Sequence, residues 1–191
     1  PYMPLEQQLR YTRRALGLIK KYGCGATIIT KSDKVLEDID LLKSINDSTK
    51  CVVQMTLTTY DDNLCSILEP NVCNTSERFK ALQELNEAGI STVVWLCPIL
   101  PFINDTKENI LGILDYCSRA KVKGVICFGM GVTLREGNRE YFYNKLDEYF
   151  PGIKEQYILR YCDAYMLESP ISHELMQIFH STCEREGIMH D

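Results

Sequence analysis

No stretch of this sequence stays apolar for the roughly eighteen residues that crossing a bilayer requires, and the opening PYMPLEQQLRYTRR has neither the apolar core nor the cleavage pattern of a signal peptide. These absences point to a soluble, cytoplasmic protein with no membrane partner. Basic residues do not prevail: 21 Lys and Arg stand against 26 Asp and Glu, for a net charge of −5, so a general electrostatic grip on nucleic acid has no support. Arg10, Arg13 and Arg14 make one local basic spot, which reads as a solvated helix face. Histidine is scarce, with three residues at 173, 180 and 190. Cysteine is plentiful, nine in all, but the closest pair, Cys65 and Cys73, is eight residues apart. No CxxC or CxxxCxxC therefore exists to hold zinc or an iron–sulfur cluster locally, and no metal ligand is assigned in this chain. Cys51, Cys97 and Cys127 sit in apolar runs, where a thiol behaves as a small hydrophobe. No GxGxxG or GxxxxGK[ST] follows any strand-like run, which removes the usual nucleotide fingerprints.

What the chain does contain is a regular alternation. With 191 residues and 45% hydrophobic content it can bury one good core. Helical spacing of apolar residues over 4–21 ends at Gly23 and Gly25, and ATIIT (26–30) follows as a buried strand. A helix starts at Ser32 or Asp33; CVVQMTLTT (51–59) is the second strand. A loop holding LEPNVCNTSE leads to a helix opened by Asn74 and Glu77 in capping-box spacing and closed at Gly89. STVVWLCPIL (91–100) is the third strand, a helix opens at Asp105 and Glu108, and KGVICFG (123–129) is the fourth strand. Beyond a glycine-rich loop lie an aromatic helix over 139–150, the break Pro151-Gly152 and two more helices, the last over 172–185. Strands that are mostly unbroken apolar runs, each followed by a helix, predict an α/β fold with a parallel sheet. Open doubly wound and barrel-type sheets both fit, and the missing nucleotide fingerprints favour the partial (β/α) barrel. Such a domain normally opens on a strand, and four strands are too few to close a barrel. The expectation is that earlier strands precede Pro1, leaving one bare sheet edge open to self-association.

In parallel β/α folds, ligands bind at the carboxyl ends of the strands. Sorting this chain by that rule gathers Lys31 and Ser32 after the first strand, Thr56, Thr58 and Thr59 from the second, Pro98 after the third and Arg135 after the fourth. These hydroxyls, one ammonium and one guanidinium suit a polar or zwitterionic ligand, with Lys31 meeting a carboxylate or phosphate. No histidine is among them, and no strand-end Ser or Cys has a base beside it, which argues against a hydrolase triad. Each residue also has a plainer explanation. A lysine before a helix is commonly solvated, threonines favour strands, Pro98 ends one, and Arg135 can simply fasten its loop.

The segments ATIITKSD, TLTTYDDNLCSILEPNVCNTSERFKALQELNEAGI, PILPFINDTKENI and GVTLREGNREYFYNKLDEYFPG, in that order and spacing, resemble the spore photoproduct lyase-like branch of the radical S-adenosylmethionine enzymes. The similarity spans Pro1 to Gly152 and implies the later part of a (β/α)6 barrel, with 153–191 as a helical extension packed on it. It implies a [4Fe–4S] cluster held by a CxxxCxxC triad upstream of Pro1, which chelates S-adenosylmethionine and reductively cleaves it to a 5′-deoxyadenosyl radical. Lys31 would then meet the carboxylate of S-adenosylmethionine, and Thr56, Thr58 and Thr59 its methionyl and ribose parts. Substrate identity, catalytic residues and the hydrogen donor do not follow from the resemblance, and the acidic balance speaks against DNA. Two competing readings are a Schiff-base aldolase or lyase using Lys31 as nucleophile, and a non-catalytic interaction domain that docks a partner through its strand edge or C-terminal helices.

Overall fold

The computed structural model describes residues 2–191. Along the chain run α1 (Glu6–Leu9), α2 (Tyr11–Lys21), β1 (Ala26–Thr30), a 3-10 turn (Asp33–Asp38) leading into α3 (Ile39–Ser48), β2 (Cys51–Thr56), α4 (Asp62–Leu68), α5 (Thr75–Glu87) and β3 (Ser91–Trp95). They are followed by α6 (Lys107–Arg119), β4 (Gly124–Ile126), β5 (Gly131–Thr133), α7 (Asn138–Tyr149), α8 (Ile153–Tyr161), β6 (Met166–Glu168), α9 (Ser172–Glu186) and β7 (Met189–His190). The main sheet has the order β1-β2-β3-β4-β7, and every neighbouring pair is parallel. It is the α/β architecture read from the alternation, with one strand more than the four predicted.

Four helices hand the chain to the next strand in the same way. After α2, α5, α6 and α9 the backbone turns left-handed at Gly23, Gly89, Lys121 and Gly187. The following residue bonds back into the last turn: Cys24 N to Ile19 O, Ile90 N to Leu85 O, Val122 N to Cys117 O and Ile188 N to Cys183 O, at 2.9 to 3.0 Å. This 6→1 closure satisfies carbonyls that would otherwise be stranded at a helix end. It also delivers Ile90, Val122 and Ile188 into the core at the foot of β3, β4 and β7.

Alternation along the strands separates two faces. Ile28, Val53, Met55, Val94 and Val125 are buried in the main core with Leu42, Leu82, Ile113 and Phe179 from the helices. The other face carries Thr27, Ile29, Gln54 and Trp95, with Ile29 opposite Gln54 and Trp95 opposite Thr56 in the register. Gln54 donates to Thr27 at 2.8 Å and accepts from the indole N–H of Trp95, while Ile29 remains 49% exposed.

A second, smaller core holds Leu134, Leu146, Tyr157 and Leu167, from the segments around β5, β6, α7 and α8. The antiparallel β5–β6 pair that supports it was not read from the sequence. Its fastenings to the main body include the Tyr157 hydroxyl donating to Pro101 O at 2.8 Å, the Ser169 hydroxyl donating to Asp105 Oδ2 at 2.6 Å and Ile99 N donating to Gly131 O at 3.2 Å. Residues 153–191 thus divide between the two cores, α8 in the smaller and α9 with β7 in the larger.

Several boundaries differ from the sequence reading. The helix predicted over 4–21 is interrupted at left-handed Arg10, because the Glu6 carboxylate caps a new start by accepting from Thr12 N at 2.6 Å. The second strand stops at Thr56 and the third at Trp95, so Thr58, Thr59 and Pro98 belong to strand-end loops. Residues 62–68, predicted as loop, form α4, with Asp61 accepting from Asn63 N and Leu64 N. Thr106, not Asn104 or Asp105, caps α6 by accepting from Asn109 N. None of the helices in the described residues is long and apolar enough to cross a membrane.

Candidate functional site

A cavity of about 540 Å³ opens above the carboxyl ends of β1, β2 and β3, between the strand-end loops, the end of α4 and one face of α7. Lys31, Thr58 and Pro98, three of the sequence candidates, line it together with Glu69 and Asn104. Lys31 is the first residue after β1, and its own backbone is held firmly. The Cys73 thiol donates to Lys31 O at 3.2 Å and accepts from Asp33 N at 3.3 Å, while Thr30 Oγ1 accepts from Ser32 N.

The ammonium is not free. Lys31 Nζ lies 2.5 Å from Glu69 Oε1, and the other oxygen of Glu69 lies 2.5 Å from Arg78 Nη2. The side chain of Arg78 has no exposure and that of Glu69 only 9%, whereas Lys31 keeps 38%. Arg78 also donates from Nη1 to Thr56 O at 3.0 Å, from Nε to Cys73 O at 2.9 Å and from Nη2 to Cys65 Sγ at 3.8 Å. A guanidinium can saturate several acceptors at once in a fixed geometry, which is what makes its complete burial tolerable. The chain of two cations and one carboxylate carries one surplus positive charge, and its exposed end is Lys31. A single acid group arriving from the cavity side would neutralise that surplus charge.

Glu69 and Arg78 are not among the site candidates drawn from the sequence, although a signal for Arg78 existed. Arg78 shares a helix face with Leu82 and Leu85, both fully buried, so it occupies a core position of α5. An arginine there requires a buried anion close by.

The polar floor of the cavity is built from amides. Asn104 Oδ1 accepts from Leu100 N at 2.5 Å, and Asn104 Nδ2 and Asn109 Nδ2 both donate to Thr58 O, at 2.8 and 2.9 Å. The Thr58 hydroxyl is buried without any hydrogen-bond partner. Thr56 ends β2, and its carbonyl is the one held by Arg78. Thr59 is turned into the loop, its hydroxyl accepting from Asp61 N and its carbonyl from the Thr75 hydroxyl. Ser32 caps the 3-10 turn by accepting from Lys34 N. Arg135 follows β5 outside this cavity, and its positive charge holds the Tyr165 phenol below its usual range. The structure thus unites Lys31, Thr58 and Pro98, gives Ser32 and Thr59 local turn duties, and leaves Arg135 apart.

For metals the described residues offer little. No group of three or more His, Cys, Asp or Glu is placed to hold an ion. Burial raises the thiols of Cys97 and Cys127 and holds them in their neutral form. His180 and His190 lie side by side with their rings tilted by 51°, centroids 5.1 Å apart, on the helix side of the sheet.

No family model matches the chain. Among curated proteins it is similar to the uncharacterized protein MJ0683 of Methanocaldococcus jannaschii, 35% identical over 111 residues, which is 58% of this chain and 41% of that protein. The chain spans about half the length of the curated relatives it matches, 41% to 48%. Among solved structures it superposes on a domain of pyruvate-formate lyase-activating enzyme from Bacteroides vulgatus with a TM-score of 0.60 and 11% identity, over 96% of this chain and 91% of that domain. A radical SAM methyltransferase from Sphaerobacter thermophilus matches with a TM-score of 0.57 and 14% identity, over 98% of this chain and 47% of the other. At these identities the likeness is one of fold, a parallel sheet flanked by helices.

Proposed function

We propose that this chain forms the cofactor-side part of a radical S-adenosylmethionine enzyme of the spore photoproduct lyase-like type, with Lys31 receiving the carboxylate of S-adenosylmethionine. The observation that carries the reading is the Lys31–Glu69–Arg78 chain, which leaves one exposed, anchored positive charge at the strand ends of this fold. The fit is chemical as well as positional. A monoanionic acid group neutralises the surplus charge, and an orphaned hydroxyl at Thr58 in the same cavity supplies a second polar partner. When bound, S-adenosylmethionine would take one electron from a reduced [4Fe–4S] cluster, release methionine and supply a 5′-deoxyadenosyl radical to a substrate that the sequence does not identify.

The residues of this chain bind and orient. Glu69 fixes where the ammonium stands, and Arg78 prevents Glu69 from following it toward a ligand. Through Thr56 O, Arg78 also ties the end of β2 to the same lock. No set of the nine cysteines suits a [4Fe–4S] cluster, so on this reading its ligands come from sequence outside residues 1–191. The competing Schiff-base role needs a lysine presented as a free amine, whereas Lys31 is half of an ion pair.

Calorimetric titration with S-adenosylhomocysteine, which keeps the amino-acid end of the cofactor, tests the reading. Saturable binding that weakens tenfold or more in Lys31→Met is expected, since a charge-assisted hydrogen bond contributes about 1.5–3 kcal/mol. Equal affinity in the two proteins would overturn it.

A further inference from the structure

The cavity extends well beyond the reach of one acid group, and its far half has a different character. Its wall is α7, which turns Asn138, Tyr141, Phe142, Lys145, Leu146 and Tyr149 toward it at helical spacing. Leu146 anchors that face in the second core, whereas Tyr141 and Tyr149 remain 67% and 46% exposed. A helix whose exposed rings lie on the same side as its buried leucine leaves an apolar wall without a partner, and an apolar concavity with a few placed polar groups is the usual form of a small-molecule site. Charge is placed there too: Lys145 Nζ lies 6.0 Å from the Tyr141 ring centroid and 5.4 Å from that of Tyr149, between the two rings. Glu148 pairs with this ammonium at 2.6 Å and sits a quarter-turn away from the cavity-facing residues.

We infer that this outer half holds the second reactant, and that its chemical class is a flat, ring-bearing molecule with one acid group. The rings of Tyr141 and Tyr149 offer stacking surface two helical turns apart, and Lys145 between them meets the acid. The inner end, with Lys31, Thr58 and Glu69, is polar and serves the cofactor. The outer end sets Lys145, Asn138 and Thr133 among apolar and aromatic side chains, and with no carboxylate in its lining it does not suit a zwitterion. This inference rests on the reading of Lys31 given above, but the outer cavity can be tested separately.

The probe is 2-naphthoate, with acetate and 2-naphthol as controls, followed by methyl NMR and calorimetry on the 191-residue chain. Naphthoate is expected to shift the methyl signals of Leu134 and Leu146 in a saturable manner, while acetate shifts neither and naphthol binds more weakly. Lys145→Met is expected to weaken naphthoate about fivefold and to leave S-adenosylhomocysteine binding intact; Lys31→Met is expected to do the reverse. Leu146→Trp, which fills the cavity, is expected to abolish naphthoate binding; should that variant lose its native circular dichroism, Tyr149→Ser takes its place with a loss of several-fold. Naphthoate shifts confined to Ile29 and Met189 on the open sheet face, or indifference to Lys145→Met, would overturn the inference. Failure of S-adenosylhomocysteine to bind the unmodified chain would sink the cofactor reading and leave the naphthoate result to be judged by itself.

Discussion

The ion chain at the strand ends decides most of what single residues do here. Arg78 is enclosed, and its loss leaves the Glu69 carboxylate buried with only the half-exposed Lys31 for company. Arg78→Met is therefore expected to cost about 3 kcal/mol, since breaking a buried pair from one side strands a charge. The double variant Glu69→Leu/Arg78→Met should recover much of that, because both charges leave together. Urea denaturation of the three proteins checks this, and a double variant as unstable as Arg78→Met alone would refute the buried pairing. Thr58 behaves oppositely. Its hydroxyl is buried without a partner, so Thr58→Val is expected to be neutral or to gain about 1 kcal/mol. A clear loss in the same denaturation experiment would show that the hydroxyl has a partner in the folded protein. Lys31 was legible from sequence because a strand end in a parallel sheet is where ligands meet the chain. Its counter-ions were not, because Glu69 sits in what reads as a loop and Arg78 falls among the apolar positions of α5.

Elements were legible in proportion to their apolar payload. β1, β2 and β3 announce themselves through buried β-branched runs, and the long helices through spacing and the glycines that close them. β7 has two residues, Met189 and His190, and exists because the closing turn of α9 delivers the chain alongside β4. Nothing in its composition marks a strand. α4 has seven residues, too few for a period to show, and only Asp61 signals its start. The β5–β6 pair is equally short, and its geometry is tight: a Cβ on Gly131 would meet Leu167 O at 2.5 Å. Backbone cannot yield as a side chain tip does, so Gly131→Ala is expected to destabilise by about 1–3 kcal/mol and to open α7 and α8 to proteolysis. Unchanged protection from protease would count against that pairing. The fastening of this second core depends on pH. Burial raises the Asp105 carboxyl above its unfolded value even though Ser169 donates to it. The folded state therefore holds a proton more readily than the unfolded state, and stability falls as pH rises from the normal carboxylate range through the raised folded value. Relative to Asp105→Asn, which keeps the Ser169 bond without the charge, the unmodified protein should be less stable at neutral pH and draw level on acidification. A difference that does not change with pH would contradict this.

At the scale of the whole molecule, the sheet has one complete face and one open one. Among the described residues β1 has a strand neighbour on one side only, and the open face leaves Ile29 and Phe128 at 49% and 76% exposure. An unpaired edge beside exposed apolar side chains is a template for association. The isolated chain is expected to self-associate with concentration, and Ile29→Lys to shift it toward monomer, both read by light scattering. A monomer at all concentrations would argue against the bare edge expected from the strand count. The parallel sheet was legible because alternation of strand and helix leaves few topologies. The position of the cavity was only half legible, because its outer wall is α7, whose aromatic residues read as an ordinary amphipathic helix until the fold turns them over the strand ends.

The anchored ammonium is the point on which the functional account turns, and one comparison isolates it. S-adenosylhomocysteine and 5′-methylthioadenosine share the adenosyl thioether, but only the first carries the amino-acid end. Titrating both into the unmodified chain and into Lys31→Met should show the substitution costing the first ligand tenfold or more and the second nothing. If Lys31→Met weakens both equally, or neither, the acid group does not meet Lys31 and the account is wrong.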